Sequence, residues 1–391
     1  MKLKTLSVAM ILATVPMTGA FAAAMDRTGQ SISAFLQPGN YAEAGLSVLD
    51  ADVSGKDADG NNTGDMASSY HSASAALKIQ ATDNISVGLL FDQPFGAKAE
   101  YNTGDHNFSS INPITGMKEG TSAEVTTENL TLLVGYQPNT NWNFYAGPVW
   151  QQAKGEVHLR GLAYGGAQGL GVGAYNANMK NDDAWGWAAG VAYQKPEIAL
   201  KASLTYRSKV EHELDSHENI MTGLGPLELN ASTIVETPQS VNLDFQTGIM
   251  ENTVAFANVR WVNWDGFSIT PPMFKQVTAA IPNATLVEYN KDQWTINAGV
   301  GRKLTEKWSG TVSVGWDSGA GNPVSTLGPT EGYWSLGLGA QFSPATNYFI
   351  QGGVKYFWLG DAQGLTVSSD NVGQFKDNHA IGYGLKFGYK F

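Results

Sequence analysis

The 391-residue sequence has no cysteine, little charge and, beyond its first residues, no long apolar run. Without cysteine the chain can form no disulfide, no thiolate metal site and no cysteine nucleophile. Charged residues make up 15% of the chain, against about 25% in average soluble domains. The absence of an apolar run of roughly 18 residues excludes a membrane-spanning helix. A net charge of −11 argues against nucleic acid as a partner, because binding to phosphates needs a positive surface.

The N-terminus has the three parts of an export signal. Lys2 and Lys4 precede an apolar run over 6–15, and the tripeptide AFA at 20–22 offers small residues around a cleavage position. This order is typical of a secretory signal peptide, and the run is too short to span a bilayer. We therefore predict a signal peptide over 1–22, cleaved after Ala22 or alternatively after Ala24.

Glycine and aromatic residues are abundant, with 45 Gly, 11 Trp, 15 Tyr and 16 Phe, and they follow a two-residue period. The stretch GYGLKFGYKF at 382–391 puts large apolar residues on one face and Gly or Lys on the other. Such alternation is strand periodicity. It fits either a soluble sandwich or a membrane barrel. Aromatic residues at both ends of a strand, such as Trp308 and Trp316 or Tyr348 and Trp358, favour the barrel, since amphipathic rings prefer the two membrane interfaces.

The connections alternate between short turns and long polar or Gly-rich loops, which is the pattern of outer-membrane barrels. Counting strands between them predicts an all-β fold, a 14-stranded antiparallel transmembrane β-barrel in the outer membrane of a Gram-negative bacterium, formed by residues 41–391. The predicted strands are 41–54, 69–80, 84–101, 124–137, 141–160, 183–195, 197–210, 238–250, 252–264, 292–303, 306–317, 332–343, 346–359 and 379–391.

The predicted lumen is less charged than that of an open porin. Inward positions are mainly Gly, Ser, Thr, Asn and Gln, and one strand adds Val254, Phe256, Val262 and Trp264 beside Arg260. A partly apolar lumen suits an apolar substrate. Within FDQPFGAKAEY at 91–101, the Pro and Gly predict a kink or gap in the wall, because Pro donates no ladder hydrogen bond and Gly weakens a strand.

These features resemble the FadL family of outer-membrane transporters for long-chain fatty acids, which also includes uptake proteins for aromatic hydrocarbons. The resemblance rests on 91–101, on TYRSKVEHEL at 205–214, on TPQSVNLDFQTGI at 237–249 and on the stretch 289–317. It implies a monomeric barrel whose lumen is closed by a short N-terminal hatch, here residues 23–40. That hatch lacks the Asn-Pro-Phe element of better-known members.

The resemblance also implies a passive route and its residues. A hydrophobic substrate is caught in a groove between two long loops, here 160–182 and 211–237, and passes to a site inside the barrel. Arg160 and Lys291 match the cations that face a fatty-acid carboxylate. Movement of the hatch then opens lateral release into the outer-membrane lipid at the kink of the third strand, which matches Gln93, Pro94, Phe95, Gly96 and Ala97.

Three other functions are alternatives to fatty-acid transport. An uptake channel for aromatic hydrocarbons shares the architecture, and a general diffusion porin is the next alternative. An enzyme is not predicted, because the sequence has no G-x-S-x-G turn and its six His residues share no local motif. The acidic stretch 50–65 lacks the Gly and Glu positions of a calcium loop. The sequence therefore predicts no metal and no cofactor.

Overall fold

The computed structural model describes residues 24–112, 115–165, 171–222 and 225–391. The predicted signal peptide lies outside this range. Within it, one closed antiparallel sheet forms the wall of a barrel, and three of the wall strands consist of two segments each, which gives fourteen strands. The predicted fold class is confirmed.

The wall strands are numbered in chain order: β1 Tyr41–Asp52, β2 Tyr70–Gln80, β3 Ile85–Asp92 with Gly96–Glu100, β4 Ser122–Tyr136, β5 Trp142–His158, β6 Tyr175–Lys195, β7 Leu200–Arg207 with Val210–Thr222, β8 Gly225–Thr237 with Ser240–Met250, β9 Thr253–Val262, β10 Gln293–Lys303, β11 Trp308–Asp317, β12 Tyr333–Ala345, β13 Tyr348–Leu359 and β14 His379–Lys390.

The barrel closes where β1 pairs with β14. The register runs without interruption from Tyr41 opposite Lys390 to Asp52 opposite His379. Inside the lumen, Lys386 Nζ donates to Glu43 Oε1 at 3.0 Å across the same seam. Closure gives every wall strand a partner on both sides and so removes the exposed sheet edge that an open structure would carry.

The outer face of the wall is apolar and ends in two aromatic belts. Leu, Val and Ile side chains along the middle of the strands are exposed, and so are aromatic residues at both ends. Trp308 and Trp316, at opposite ends of β11, lie eight residues apart in the sequence, or about 26 Å along the strand. A strand tilt of about 40° reduces this to about 20 Å along the membrane normal, which fits within the ~25 Å apolar band of an outer-membrane barrel. Exposed belt residues include Trp187, Trp294, Trp334 and Trp358 at one end, and Tyr136, Trp142, Trp308 and Tyr389 at the other.

Short turns join the strands at one end and long loops at the other. The loops contain α1, Pro272–Val277, and the 3₁₀ turn Leu162–Tyr164, whereas the 3₁₀ turn Pro196–Ile198 is at the short-turn end. No helix in the described part of the chain is long and apolar enough to cross a membrane. Short strands in the loops are Gly55–Asp57, Ser109–Ile111, Lys118–Gly120, Ser268–Ile269, Val287–Glu288, Val324–Ser325, Ala362–Thr366 and Ser369–Phe375.

The loops pack together over the lumen around a buried apolar cluster. Tyr101 Oη donates to Thr326 O at 2.7 Å, and Tyr164 Oη lies 2.8 Å from Thr326 Oγ1. Burial raises the pKa of Tyr164 to about 12, although the hydrogen bond to Thr326 acts in the opposite direction. Three loops are thereby tied into one cap.

One predicted loop is a strand pair. The range 211–237 forms most of an antiparallel hairpin that extends β7 and β8, with Val210 opposite Thr237 and Thr222 opposite Gly225. Buried positions such as His212 and Leu214 alternate with exposed Glu211 and Glu213. The prediction of a loop was wrong because the many charged residues of EHELDSHE concealed this two-residue period. Likewise, 175–182 in the other predicted loop belongs to β6.

Candidate functional site: a break in the barrel wall

The ladder between β2 and β3 is interrupted on the loop side of the wall. Pairing runs from Gln80 opposite Ser86 up to Ala75 opposite Phe91 and then stops. It returns only as an isolated bridge between Ala67 and Ala99. We call this interruption, which involves 68–74 and 92–98, the β2/β3 break. It contains the predicted kink residues.

The local sequence explains why β3 leaves the ladder. Pro94 has no N–H to donate, and Phe95 turns instead to β4, where its N–H donates to Thr127 Oγ1 at 2.9 Å. The backbone N–H of Thr127 donates back to Phe95 O at 3.1 Å. On β2, the N–H of Ala73 is satisfied by a side chain, since it donates to Gln93 Oε1 at 3.1 Å. The ladder between β2 and β3 is thus open here, and these backbone groups still have hydrogen-bond partners.

The backbone of the N-terminal segment, residues 24–40, occupies the edge that β3 exposes at the break. Gly96 N donates to Met25 O at 2.9 Å, and Arg27 N donates to Pro94 O at 2.7 Å. Asp26 and Phe95 form the corresponding bridge. A piece of chain that is not a wall strand therefore takes the place of β2 at this level.

Polar contacts with the lumen wall hold the segment there. Arg260 on β9 donates to both carboxylate oxygens of Asp26, at 2.7 and 3.0 Å, and also to Gln30 Oε1 at 3.1 Å. Asn242 Nδ2 donates to Gly29 O at 2.6 Å. Lys201 and Lys78 donate to the backbone carbonyls of 36 and 39. The Arg260–Asp26 pair is almost fully buried, so removing either partner would leave an uncompensated charge.

A cluster of aromatic side chains lies beside the break on the lumen side. Trp264 contacts Phe95 with ring centroids 5.6 Å apart, Phe267 at 4.9 Å and Tyr289 at 5.1 Å. The indole Nε1 donates to Gln293 Oε1 at 2.8 Å, and burial raises the pKa of Tyr289. The apolar packing continues through Met25, Met179, Leu214, Val235, Val262 and Ile269. This largely buried apolar cluster borders the β2/β3 break.

Arg27 lies within the break itself. Its guanidinium stacks on the ring of Tyr70, with Cζ 3.3 Å from the ring centroid. A Cβ at position 96 would lie 2.6 Å from Arg27 Cζ, so Gly96 is needed for the guanidinium to fit. Burial lowers the pKa of Arg27, and interactions with Tyr70 and the charge of Glu124 act in the opposite direction.

Arg160 lies in the loops and is fully engaged in other contacts. Its side chain is nearly buried, forms an ion pair with Glu119 at 2.7 Å and donates to Asn176 Oδ1 at 2.8 Å. Burial raises the pKa of Glu119, but hydrogen bonds from Asn112 and Arg160 outweigh this effect and leave it lowered. Arg160 therefore holds three segments of the loop region together.

Lys291 lies in a different loop from Arg160. Its backbone N–H donates to Ala320 O at 3.1 Å, and its side chain is exposed. Burial raises the pKa of Glu331, while the N–H of Gly321 and the charge of Lys291 oppose that shift. Lys291 and Arg160 thus have separate neighbours, Glu331 for one and Glu119 for the other.

Sequence reasoning missed the residues that connect the segment to the wall. Asp26 and Arg260 are 234 positions apart, and nothing in local periodicity pairs them. The composition did offer one signal, since MDRTGQ places two charged residues in a segment predicted to lie in a lumen. Buried charges are rare unless paired. No group of three or more His, Asp or Glu residues in the described ranges could hold a metal ion.

Known proteins with the same architecture resemble this chain. The family described as outer membrane protein transport protein (OMPP1/FadL/TodX) matches residues 21–391. A crystal structure of a Pseudomonas aeruginosa FadL homologue shares 17% identity, with a TM-score of 0.72, over 96% of this chain and 99% of that one. No curated protein matches the sequence.

Two further structures are toluene transporters by name. The P. putida protein TodX has 14% identity and a TM-score of 0.69, and the match covers 96% of this chain and 99% of that chain. The Ralstonia pickettii protein TbuX has 13% identity and a TM-score of 0.59, with 97% and 99% covered. At these identities the three structures establish the fold alone.

Proposed function

The chain belongs to the outer membrane protein transport protein family (OMPP1/FadL/TodX), and from that premise we propose that it carries long-chain fatty acids or similar hydrophobic compounds across the outer membrane. The observation that supports the proposal most is the β2/β3 break, because a gap in the wall that is filled by the N-terminal segment would let a substrate that prefers lipid to water leave sideways. Transport is passive diffusion through a monomer and needs no catalytic group.

In this route the predicted hatch, 23–40, includes the N-terminal segment and closes the lumen. Substrate enters between the loops, reaches the aromatic cluster around Trp264 and leaves through the wall at Gln93, Pro94, Phe95, Gly96 and Ala97. Two backbone hydrogen bonds join the segment to that edge, from Gly96 N to Met25 O and from Arg27 N to Pro94 O. Withdrawal of residues 25–27 would therefore open the break while the wall strands on both sides stay paired.

Apolar contact would provide most of the affinity. Each buried CH₂ group contributes about 0.8 kcal/mol, so a long acyl chain supplies on the order of 10 kcal/mol before any cost is subtracted. Arg160 and Lys291 remain our candidates for capture of the carboxylate at the loops. Arg160 would have to exchange Glu119 for the substrate, since the two now form an ion pair at 2.7 Å.

Oleate binding to the purified barrel in detergent tests the proposal. We expect saturable binding that the double substitution Arg160→Ala/Lys291→Ala weakens, and toluene serves as a neutral competitor. If oleate does not bind while bilayers with the protein conduct ions freely, the barrel is a diffusion porin and the proposal is wrong.

Uptake of aromatic hydrocarbons is the second candidate. It is favoured by the four-ring cluster of Phe95, Trp264, Phe267 and Tyr289, whose faces and edges suit a flat ring. Two of the similar structures carry the name toluene transporter. Toluene binding that is tight and indifferent to the double substitution would favour this candidate over fatty acids.

A further inference from the structure

We propose that Arg27, at the β2/β3 break, binds the carboxylate of the departing substrate and so makes the exit selective for amphiphilic acids over neutral hydrocarbons. The inference rests on the proposed function, of which it specifies the substrate class. Arg27 lies in the N-terminal segment, far in sequence from the two cations that the family resemblance suggested.

The first observation is a buried cation with two unsatisfied donors. Arg27 is only 2% exposed, and its Nε and Nη1 atoms have no hydrogen-bond partner. A guanidinium is always charged and has only donors to offer. Buried donors without acceptors are costly and therefore uncommon in native structures. An anionic ligand at this position would satisfy them.

Other buried arginines of the described chain are committed elsewhere. Arg260 holds Asp26 through two hydrogen bonds, and Arg160 is paired with Glu119. Arg207 has one unsatisfied atom, Nε, but it donates to Thr131 Oγ1 and to the backbone of the N-terminal segment and faces the charge of Asp92. By contrast, Glu124, the carboxylate whose charge reaches Arg27, is half exposed and already paired with Lys98 at 3.6 Å.

The geometry leaves the edge of the guanidinium free. Tyr70 covers one face at 3.3 Å, and Nε and Nη1 on the edge have no hydrogen-bond partner. Arg binds carboxylates with its N–H edge and stacks on rings with its face, so both contacts can exist together. Gly96 borders the same group, and its lack of a side chain makes room for the guanidinium.

The neighbours on the lumen side are suited to the rest of such a ligand. Met25 and Phe95, next to Arg27 through the bridge between Asp26 and Phe95, belong to the apolar cluster around Trp264. An acyl or aryl body can therefore lie on that cluster while its carboxylate meets Arg27. The charge would be held at the break until the segment moves.

The test compares oleate with oleyl alcohol, which has the same chain without the charge. Both affinities are measured on each preparation of wild type, Arg27→Gln and Arg27→Lys, and the result is their ratio. A general loosening of the barrel lowers both affinities and leaves the ratio unchanged. Arg302→Gln is the matched control, because Arg302 is an exposed arginine on β10 near the short-turn end.

We expect Arg27→Gln to reduce the preference for oleate by about tenfold or more, as the loss of hydrogen bonds to a charged group implies. Arg27→Lys should retain part of the preference for oleate, and Arg302→Gln should retain all of that preference. If Arg27→Gln does not fold, Gly96→Ala provides the second variant. Its Cβ would displace the guanidinium and should lower the same ratio.

Three outcomes would overturn the inference. They are a ratio unchanged by Arg27→Gln, a ratio unchanged by Gly96→Ala where that variant replaces it, and a change of equal size in Arg302→Gln. In each case oleyl alcohol would still bind, so the proposed transport of hydrophobic compounds would stand. If wild type binds neither ligand, the proposed function itself fails, and this inference fails with it.

Discussion

The described part of the barrel wall contains two long interruptions, which are built alike but filled differently. In the β2/β3 break, the flanking pairs Ala75–Phe91 and Ala67–Ala99 are eight residues apart on each strand. A second interruption, the β6/β7 break, lies between the pairs Ala188–Arg207 and Met179–Ser216, nine residues apart on each strand. Both keep the register, so the strands separate and rejoin without slipping.

In each break a polar side chain replaces a missing backbone partner. Gln93 accepts the N–H of Ala73 at 3.1 Å, and Asp182 accepts the N–H of Glu213 at 3.2 Å. Asp182 also bonds His212 Nδ1 at 2.9 Å. The equivalent contacts indicate that two wall strands can separate locally at little cost in free energy if the freed backbone N–H groups keep a hydrogen-bond acceptor.

The difference is what fills the opening. At the β6/β7 break the neighbouring strands seal themselves, since Ser208 and Trp187 also exchange hydrogen bonds and His212 reaches Gln151 Oε1 at 2.9 Å. At the β2/β3 break the filler is the backbone of residues 25–27. Only the second kind of filler can leave without breaking the wall. Two similar gaps can therefore differ in function because of what occupies them.

The largest effect is expected from cross-linking the two strands across each break in turn. The chain has no cysteine, so Ala73→Cys/Gln93→Cys can be joined by a short bifunctional thiol reagent. We expect hydrophobic uptake to fall by about tenfold or more, since a bridged gap blocks a lateral route. The matched pair is Asp182→Cys/Glu213→Cys, whose bridging should leave uptake unchanged. Equal inhibition by both bridges, measured with a labelled acid in vesicles, would contradict the assignment of the exit.

The next largest effect is expected from releasing the N-terminal segment from the lumen wall. Asp26→Ala leaves Arg260 buried without its carboxylate, and breaking a buried pair costs about 3–5 kcal/mol. We expect the N-terminal segment to leave the lumen and the ion conductance of planar bilayers to rise. Glu43→Ala, which removes the Lys386 partner at the β1–β14 seam, is the control for a buried pair outside the segment. Conductance that stays at the wild-type level in Asp26→Ala would show that the segment does not close the lumen.

A smaller effect is expected at the sealed break. Asp182→Ala removes the acceptor of His212 and of the Glu213 N–H, and unsatisfied buried groups cost about 1–3 kcal/mol. We expect the midpoint of thermal unfolding to fall while oleate binding stays unchanged, because the β6/β7 break is not the exit. Asp183→Ala is the neighbouring control, as Asp183 is exposed on the same strand. A weakened oleate affinity in Asp182→Ala alone would assign a transport role to this break as well.

The smallest effect concerns Gln93. In Gln93→Ala, the N–H of Ala73 loses one neutral hydrogen bond, worth about 1 kcal/mol. Since the break is already open on the β2 side, we expect faster amide exchange at Ala73 with little change in uptake. Protection of that amide equal to wild type would mean that β2 and β3 pair directly in the variant.

The wall was predictable from sequence because membrane strands repeat one rule. Period-two alternation and aromatic residues at strand ends gave all fourteen strands, and Pro94 marked where one of them is interrupted. The hairpin of 210–237 escaped prediction because it extends the wall with charged residues outward, where the apolar signal is lost.

The contacts of the site were less predictable. The match of Arg160 to a substrate cation depended on a motif, whereas its ion pair with Glu119 depends on how two loops meet. The role of Arg27 follows from what surrounds it, namely Tyr70, Gly96 and Pro94. These residues are adjacent only after the barrel has closed around the segment. Local patterns carry no information about such encounters.

The pairing of β1 with β14 has a consequence for the order of assembly. The N-terminal segment directly precedes β1, and its partners Asn242 and Arg260 are on β8 and β9. The seam from Tyr41 to Asp52 forms only after every intervening strand is available, and contacts so distant in sequence are slow to form. The contacts of the segment with β8 and β9 also span most of the chain. Closure of the cylinder and docking of its filler are therefore both late steps of assembly.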